Sequence, residues 1–287
     1  MHIQLMTDSS ADIPAFLSEK LDVKVVPLYL HFSDGQYTSG VTMGIEAYHK
    51  KVKDLGELPR SAAPSPHNFY EEYKKIPADK PIIMLSLSSA LSSTYDHALA
   101  GKELLLEEEP NRVIEVINTK TASCGISLLL HEAGKKLEEG YSFDHLVEHL
   151  HERVEQTTTL FVLKTLENLV LGGRLEKMKG RIAKTLNIKI LMKATDEGEI
   201  EVAEKVRGDK KSIRRFIDQI GEYTKNTESK IISMTHCRDE DRANSVLKEI
   251  RNKYHFKDAL LAETGPLIST YGGEGALVMA FFKDKDK

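Results

Sequence analysis

The chain has 287 residues, 40% of them hydrophobic and 29% charged, enough for a sizeable core beneath a well-solvated surface. Its 40 Lys+Arg stand against 44 Asp+Glu, a net charge of −4 with no basic stripe, which argues against a nucleic-acid partner because phosphate neutralisation needs clustered cations. The two cysteines, Cys124 and Cys237, are too far apart for a disulfide framework or a metal-spacing pattern and fit a reducing compartment.

The first residues, MHIQLMTDSSADIP, hold no basic region followed by an apolar run. No stretch approaches the roughly 20 apolar residues of a membrane span, so the expectation is a cytoplasmic protein. Residues 3–6 read as a short apolar strand, followed by the turn-forming Thr7-Asp8-Ser9-Ser10 and a helix opening near Pro14. Residues 23–32 read as one longer strand with β-branched and aromatic side chains. PIIMLSL at 81–87 is a continuous apolar run, as in a strand buried on both faces. A helix over 91–106, a strand over 112–117 and a helix over 123–138 follow. The clearest helix covers 142–154, where Phe143, Leu146, Val147, Leu150 and Val154 form one apolar stripe behind Ser142 as N-cap. The periodicity returns at Ile213, Phe216, Ile217, Ile220 and Tyr223, and again at Ala243, Val246, Leu247, Ile250 and Tyr254. Strands are expected over 230–234, 259–262 and 276–282. This alternation predicts an α/β protein with parallel or mostly parallel sheets flanked by helices. Gly172-Gly173-Arg174 and the basic stretch 177–184 break the pattern, and the domain boundary is placed before them, near residue 160.

Three polar clusters lie at strand ends or in Gly/Pro-rich turns, where open α/β sheets bind ligands. The first is Pro59 to Pro66, a proline-stiffened loop holding Ser61, which also reads as a connector with Ser65 capping a helix that starts at Pro66. The second, LSSALSSTY at 87–95, offers four serines and a threonine where a strand becomes a helix. One hydroxyl suffices for a cap, so the excess points to an anion held at a helix N-terminus. The third, Thr264 to Gly275, has glycines that admit a ligand close to the backbone, or simply a flexible turn; it is neither a dinucleotide fingerprint nor a phosphate loop. No GxSxG elbow is present. His145 and His149 share a helix with Glu148 and Glu152 on its solvated face, so no metal site is expected there, and His236-Cys237 offers too few ligands.

Taken in order, TDSSAD at 7–12, the serine loop around Ser61, LSSALSSTY, NTKTASCG at 118–125, LENLVLGGR at 166–174 and the TGP…GGEGAL tail resemble successive signatures of the DegV family over nearly the whole chain. The resemblance implies two α/β domains, 1–160 and 161–287, with a long-chain fatty acid such as palmitate or oleate in a tunnel between them. It implies a lipid-binding subunit with no cofactor, not an enzyme. The ATP-binding partner, a dihydroxyacetone-kinase-like protein, would phosphorylate the carboxylate to an acyl-phosphate for phospholipid synthesis.

Residue by residue, the resemblance puts Ser61 at the family's threonine in the first carboxylate-binding loop, Ser92 at its serine in an LSGT motif, and Tyr271 where it often has histidine. Arg174 and Arg207 match arginines associated with phosphate or partner contact. Ala62, Ser93 and Glu274 also depart from the pattern. A tyrosine hydroxyl titrates near ~10 and brings no positive charge at neutral pH, and Glu274 would repel an anion if it pointed inward. Two alternatives follow: a lipid-binding regulatory protein without kinase coupling, and a serine-dependent phosphotransferase or hydrolase using Ser92 or Ser61.

Overall fold

The computed structural model describes residues 3–175 and 188–285. Strand β1 (Gln4–Asp8) leads through α1 (Ala15–Leu21) to β2 (Lys24–Val26), which pairs parallel to β1. Pro27 has no N–H to continue the ladder, and the chain leaves the sheet there. The single strand expected over 23–32 is therefore two, because β3 (Tyr29–Phe32) belongs to a separate antiparallel sheet with β4 (Gly35–Thr38). Helix α2 (Ile45–Leu55) and β5 (Arg60–Ala62) follow, and β5 pairs with β3 in register Leu30 to Ser61.

Helix α3 (Pro66–Lys74) opens as read. Ser65 and Asn68 form a reciprocal capping box, with Pro66 in the first turn. Next come β6 (Ile82–Ser86), α4 (Thr94–Glu108) and β7 (Ile114–Asn118), completing a four-stranded all-parallel sheet of order β2-β1-β6-β7. Helix α4 begins three residues later than expected, which leaves most of the hydroxyl-rich segment as loop. Helices α5 (Cys124–Glu138) and α6 (Phe143–Gln156) follow, the latter capped by the Ser142 side chain.

Strand β8 (Thr157–Leu163) starts the second half, followed by α7 (Glu167–Leu171), β9 (Ile188–Ala194) and β10 (Ile200–Arg207). Then come α8 (Asp209–Asp218), α9 (Ile220–Tyr223), β11 (Ile231–His236), α10 (Glu240–Tyr254), β12 (Asp258–Glu263), α11 (Pro266–Gly272) and β13 (Leu277–Phe282). Their six strands run β10-β9-β8-β13-β11-β12. Only β11 and β12 pair in parallel, so the parallel expectation fails for this sheet. Hairpin-like returns such as β9 to β10 need no crossover helix, and the apolar-run criterion does not register direction. A division at 160 falls inside β8; sheet membership changes between Gln156 and Thr157. The basic stretch 177–184 lies outside the described residues.

Alternation along β8 and β13 explains how the halves join. Leu160 and Val162, with Leu277, Met279 and Phe281, face a core beneath α8 and α10. Phe161, Leu163, Val278 and Ala280 face the other way, into a core shared with Ile83 and Leu85 of β6 and with α5. Helix α5 is thus packed between the two sheets, and Cys124 through Leu130 are all buried. Each such Leu or Phe contributes on the order of 1.5–3 kcal/mol, so this shared core holds the two halves firmly together.

Candidate functional site

An apolar cavity opens between the sheets, lined by Leu87, Leu91, Phe161, Leu163, Ile200 and Leu267 among others. It offers about 110 Å³ of room for water centres. One water needs roughly 10–15 Å³ on that measure, so the space suits a string of groups rather than one solvent molecule.

Four of the five residues singled out from the sequence meet there: Ser61, Ser92, Tyr271 and Arg174 all line the cavity. Strand β5 holds Ser61 beside Leu30, and α11 brings Tyr271, so that Ser61 Oγ and the Tyr271 hydroxyl lie 2.5 Å apart. The Arg174 guanidinium stacks 5.0 Å above the Tyr271 ring centre. Its Nε donates to Leu91 O at 3.2 Å and its Nη1 to Gly172 O at 2.6 Å. A Cβ on Gly172 would come within 2.4 Å of the Tyr271 ring, so the first glycine of GGR is what allows the α7 end to close on α11. Ser92 Oγ sits 2.8 Å from Thr94 Oγ1 and accepts the Thr94 N–H at 3.3 Å.

Arg207 is elsewhere. It ends β10, paired with residue 188, is exposed, and does not line the cavity. Glu274 is exposed as well and does not line it, so the feared repulsion is not built in. The hydroxyl excess at 88–94 has a largely structural explanation. Ser88 Oγ donates to Gly198 O at 2.9 Å, tying the first half to the β9–β10 turn, and Ser89 bonds Asn118. His149 pairs with Glu132 at 2.8 Å, and no metal-holding cluster of His, Cys, Asp or Glu occurs among the described residues.

Sequence reasoning passed over a second polar group at the cavity wall. Ser123, the residue before α5, has φ +55° and ψ −130°, a strained conformation for a residue with a side chain. Gly125 is needed beside it, since a Cβ there would lie 2.2 Å from Thr121 Oγ1. Ser123 Oγ donates to Asp12 Oδ2 at 2.5 Å, and the Gly265 N–H donates to Asp12 Oδ1 at 2.7 Å. Burial pushes the Asp12 carboxyl up to about 7, against the pull of those two donors. Lys120 also reaches the cavity wall, but its Nζ turns to Glu155 at 2.6 Å. Both segments, TDSSAD and NTKTASCG, were visible as motifs; their meeting across the fold was not.

A family model described as an uncharacterised protein of the DegV family matches residues 2–284. The chain belongs to the DegV family. A Thermotoga maritima fatty acid-binding protein is 29% identical over 284 residues, 96% of each chain. A DegV domain-containing protein of Clostridium perfringens is 28% identical, covering 98% of this chain and 97% of its own. Among solved structures, a Ruminococcus gnavus DegV-family protein with vaccenic acid superposes with a TM-score of 0.91 at 28% identity, covering 98% of this chain and 99% of its own. A Streptococcus pneumoniae fatty acid kinase (Fak) B3 protein loaded with linoleic acid gives 0.88 at 27% identity, covering 99% of this chain and 100% of its own. The α/β architecture is therefore that of the family. No helix among the described residues of this DegV chain is long and apolar enough to cross a membrane.

Chemically, the arrangement is a greasy slot with hydroxyl donors and one guanidinium gathered at Ser61, Tyr271, Ser92 and Arg174. Such a set can hold an anionic head group while an apolar tail leaves water.

Proposed function

We propose that this chain binds a long-chain fatty acid, such as palmitate or oleate, in the cavity between its sheets and presents the carboxylate to a separate dihydroxyacetone-kinase-like ATP-binding protein. The observation that carries the reading is the joining of an apolar slot to Ser61, Ser92, Tyr271 and Arg174, drawn from four distant segments. The fatty acids held by the relatives named above support the ligand class, and the fatty acid kinase B3 relative supports the partner.

Each buried methylene contributes roughly 0.8 kcal/mol. A dozen of them give about 10 kcal/mol before the ordering cost of binding, enough for tight retention with no covalent step. The carboxylate then needs donors, which in this reading hydroxyls and Arg174 supply, with Arg174 meeting the charge of a forming acyl-phosphate. The protein itself brings no phosphoryl donor in this scheme.

The test is to purify the protein natively, extract it and identify bound lipids by mass spectrometry. A long-chain acid is expected in the extract, and an empty extract with no thermal shift on adding palmitate or oleate would sink the reading. With lipid present, the kinase partner and ATP are added and acyl-phosphate is measured. Retention of lipid without phosphorylation would favour the regulatory alternative, for which the Tyr271 hydroxyl, tied to Ser61, is the specific observation.

A further inference from the structure

We propose that Lys120 is a specificity-determining residue: its side chain closes the tail end of the cavity and sets the longest acyl chain the protein holds. The inference rests on the fatty-acid reading above. Strand β8 gives the cavity its direction, with Thr159, Phe161 and Leu163 on the lining face. Four residues of strand put Thr159 and Leu163 about 13 Å apart. Leu277 pairs with Val162, and a Cβ on Gly275 would strike the Lys164 side chain, so the segment that carries Tyr271 lies at the Leu163 end. Arg174, stacked on Tyr271, belongs to the same end. Lys120 belongs to the other. Thr159 Oγ1 lies 2.7 Å from Thr121 Oγ1, next to Lys120 in the chain. Lys120 Nζ reaches Glu155, in the last turn of α6 just before β8 begins. Among the described residues, Lys120 and Arg174 are the two charged side chains on the cavity wall.

Lys120 is held in place from both sides. Its backbone is left-handed, with φ +52°, and its N–H donates to Asn118 Oδ1 at 3.1 Å. The β9–β10 turn presses on it, since a Cβ on Gly198 would come 2.8 Å from Lys120 Cα. The side chain is 33% exposed and ends 2.6 Å from Glu155 Oε1, on a side chain that is 61% exposed. The ammonium therefore sits at the surface, and the covered part is the hydrocarbon stem running out from the cavity wall. A terminal methyl packs well against such a stem. A longer tail must buckle between close-packed walls, or push the stem aside and leave its last methylenes in water, where they gain nothing from burial. An exposed ion pair adds little, so the stem rather than the charge carries the limit. The head-group residues stand at the far end of β8, so the two roles separate experimentally.

The experiment equilibrates delipidated full-length protein with an equimolar mixture of laurate, myristate, palmitate, stearate, arachidate and behenate, and quantifies the bound acids by native mass spectrometry. In wild type, occupancy should rise about fifteenfold with each two-carbon step, at roughly fourfold per buried methylene, and stop rising at one length. Lys120→Ala should move that limit at least one step longer, the next acid gaining about tenfold, while the order of the shorter acids stays. Lys120→Arg, which keeps a long stem and its pairing with Glu155, should keep the wild-type limit and guards against a folding artefact. The proposal is overturned if wild type shows no limit within the series, if Lys120→Ala keeps the wild-type limit, or if Lys120→Arg moves it as far as Lys120→Ala does. No acid bound to wild type sinks the fatty-acid reading itself, an outcome distinct from an unmoved limit.

Discussion

Ser61 and Tyr271, 210 residues apart in the chain, meet hydroxyl to hydroxyl at 2.5 Å in the wall of the apolar cavity. Neither can donate two bonds, so a carboxylate arriving there must break into this pair or accept from its free end. Tyr271→Phe keeps the ring beneath Arg174 and removes only the hydroxyl; Ser61→Ala removes the partner. Each substitution is expected to weaken fatty-acid binding about tenfold, the lower end of a hydrogen bond to a charged group. The double variant should lose less than the sum, because the two hydroxyls act as one unit. Isothermal titration of the four proteins with palmitate measures this, and full additivity would mean that the pair does not act on the ligand together.

Asp12 makes the stability of the fold depend on pH. Its carboxyl is raised from an ordinary 3.8 to about 7 by burial, so the folded state holds a proton that the unfolded state has already released over that interval. Its contribution is fully present below about pH 4 and is lost as pH rises through about 7. Asp8, also raised by burial, acts in the same direction. Asp12→Asn keeps an acceptor for the Gly265 N–H and offers a donor to Ser123 while removing the titration. Melting temperature against pH should therefore fall less steeply from 4 to 7 in the variant than in wild type; parallel curves would show that Asp12 does not titrate there.

What could be read in the chain and what could not divides along local and non-local lines. Capping at Ser65 and Ser142 and the stripes of α6 and α10 are local signals, and those helices stand where the periodicity put them, whereas the stripe from Ile213 to Tyr223 is divided at Gln219 between α8 and α9. Pro27 was in view, yet its consequence, a strand changing sheets, depends on which neighbours accept the next residues. The antiparallel run of the second sheet left no trace in composition, since β8 and β13 alternate the same way in either direction. Ser61, Ser92, Tyr271 and Arg174 were reached through ordered motifs, and the fold gathers them. Asp12 and Ser123 sit in motifs of the same kind but matter through contacts more than a hundred residues distant, such as the one between Asp12 and Ser123 at 2.5 Å.

Gly198 holds the β9–β10 turn against the first half of the chain. Its φ is +81°, and a Cβ would lie 2.3 Å from Ser88 Oγ and 2.8 Å from the Lys120 Cα. Gly198→Ala adds a backbone penalty of about 1 kcal/mol to a clash with main chain that cannot step aside. Gly140, at φ +83° with nothing within 4 Å, is the matched control for the backbone penalty alone. Thermal melts should show Gly198→Ala falling several degrees further than Gly140→Ala, with fatty-acid retention reduced because the turn covers the cavity beside Ile200. Equal losses in the two variants would mean that the turn is free to move away from Ser88.

Arg174 and Arg207 were expected to share a role, and their positions separate them. Arg174 spans Leu91 O and Gly172 O over Tyr271, so Arg174→Ala removes both a support of the cavity wall and its positive charge. A loss of about three- to tenfold in fatty-acid affinity is expected, with a larger loss in acyl-phosphate formation, since charge on the phosphoryl group grows during transfer. Arg207, exposed at the end of β10 and off the cavity wall, can act only through something that docks there. Arg207→Ala should leave palmitate affinity within twofold of wild type and lower acyl-phosphate formation only through a raised KM for the binding protein as substrate of the kinase. A fall in palmitate affinity in that variant would contradict the placement, and unchanged kinetics would remove Arg207 from the partner surface.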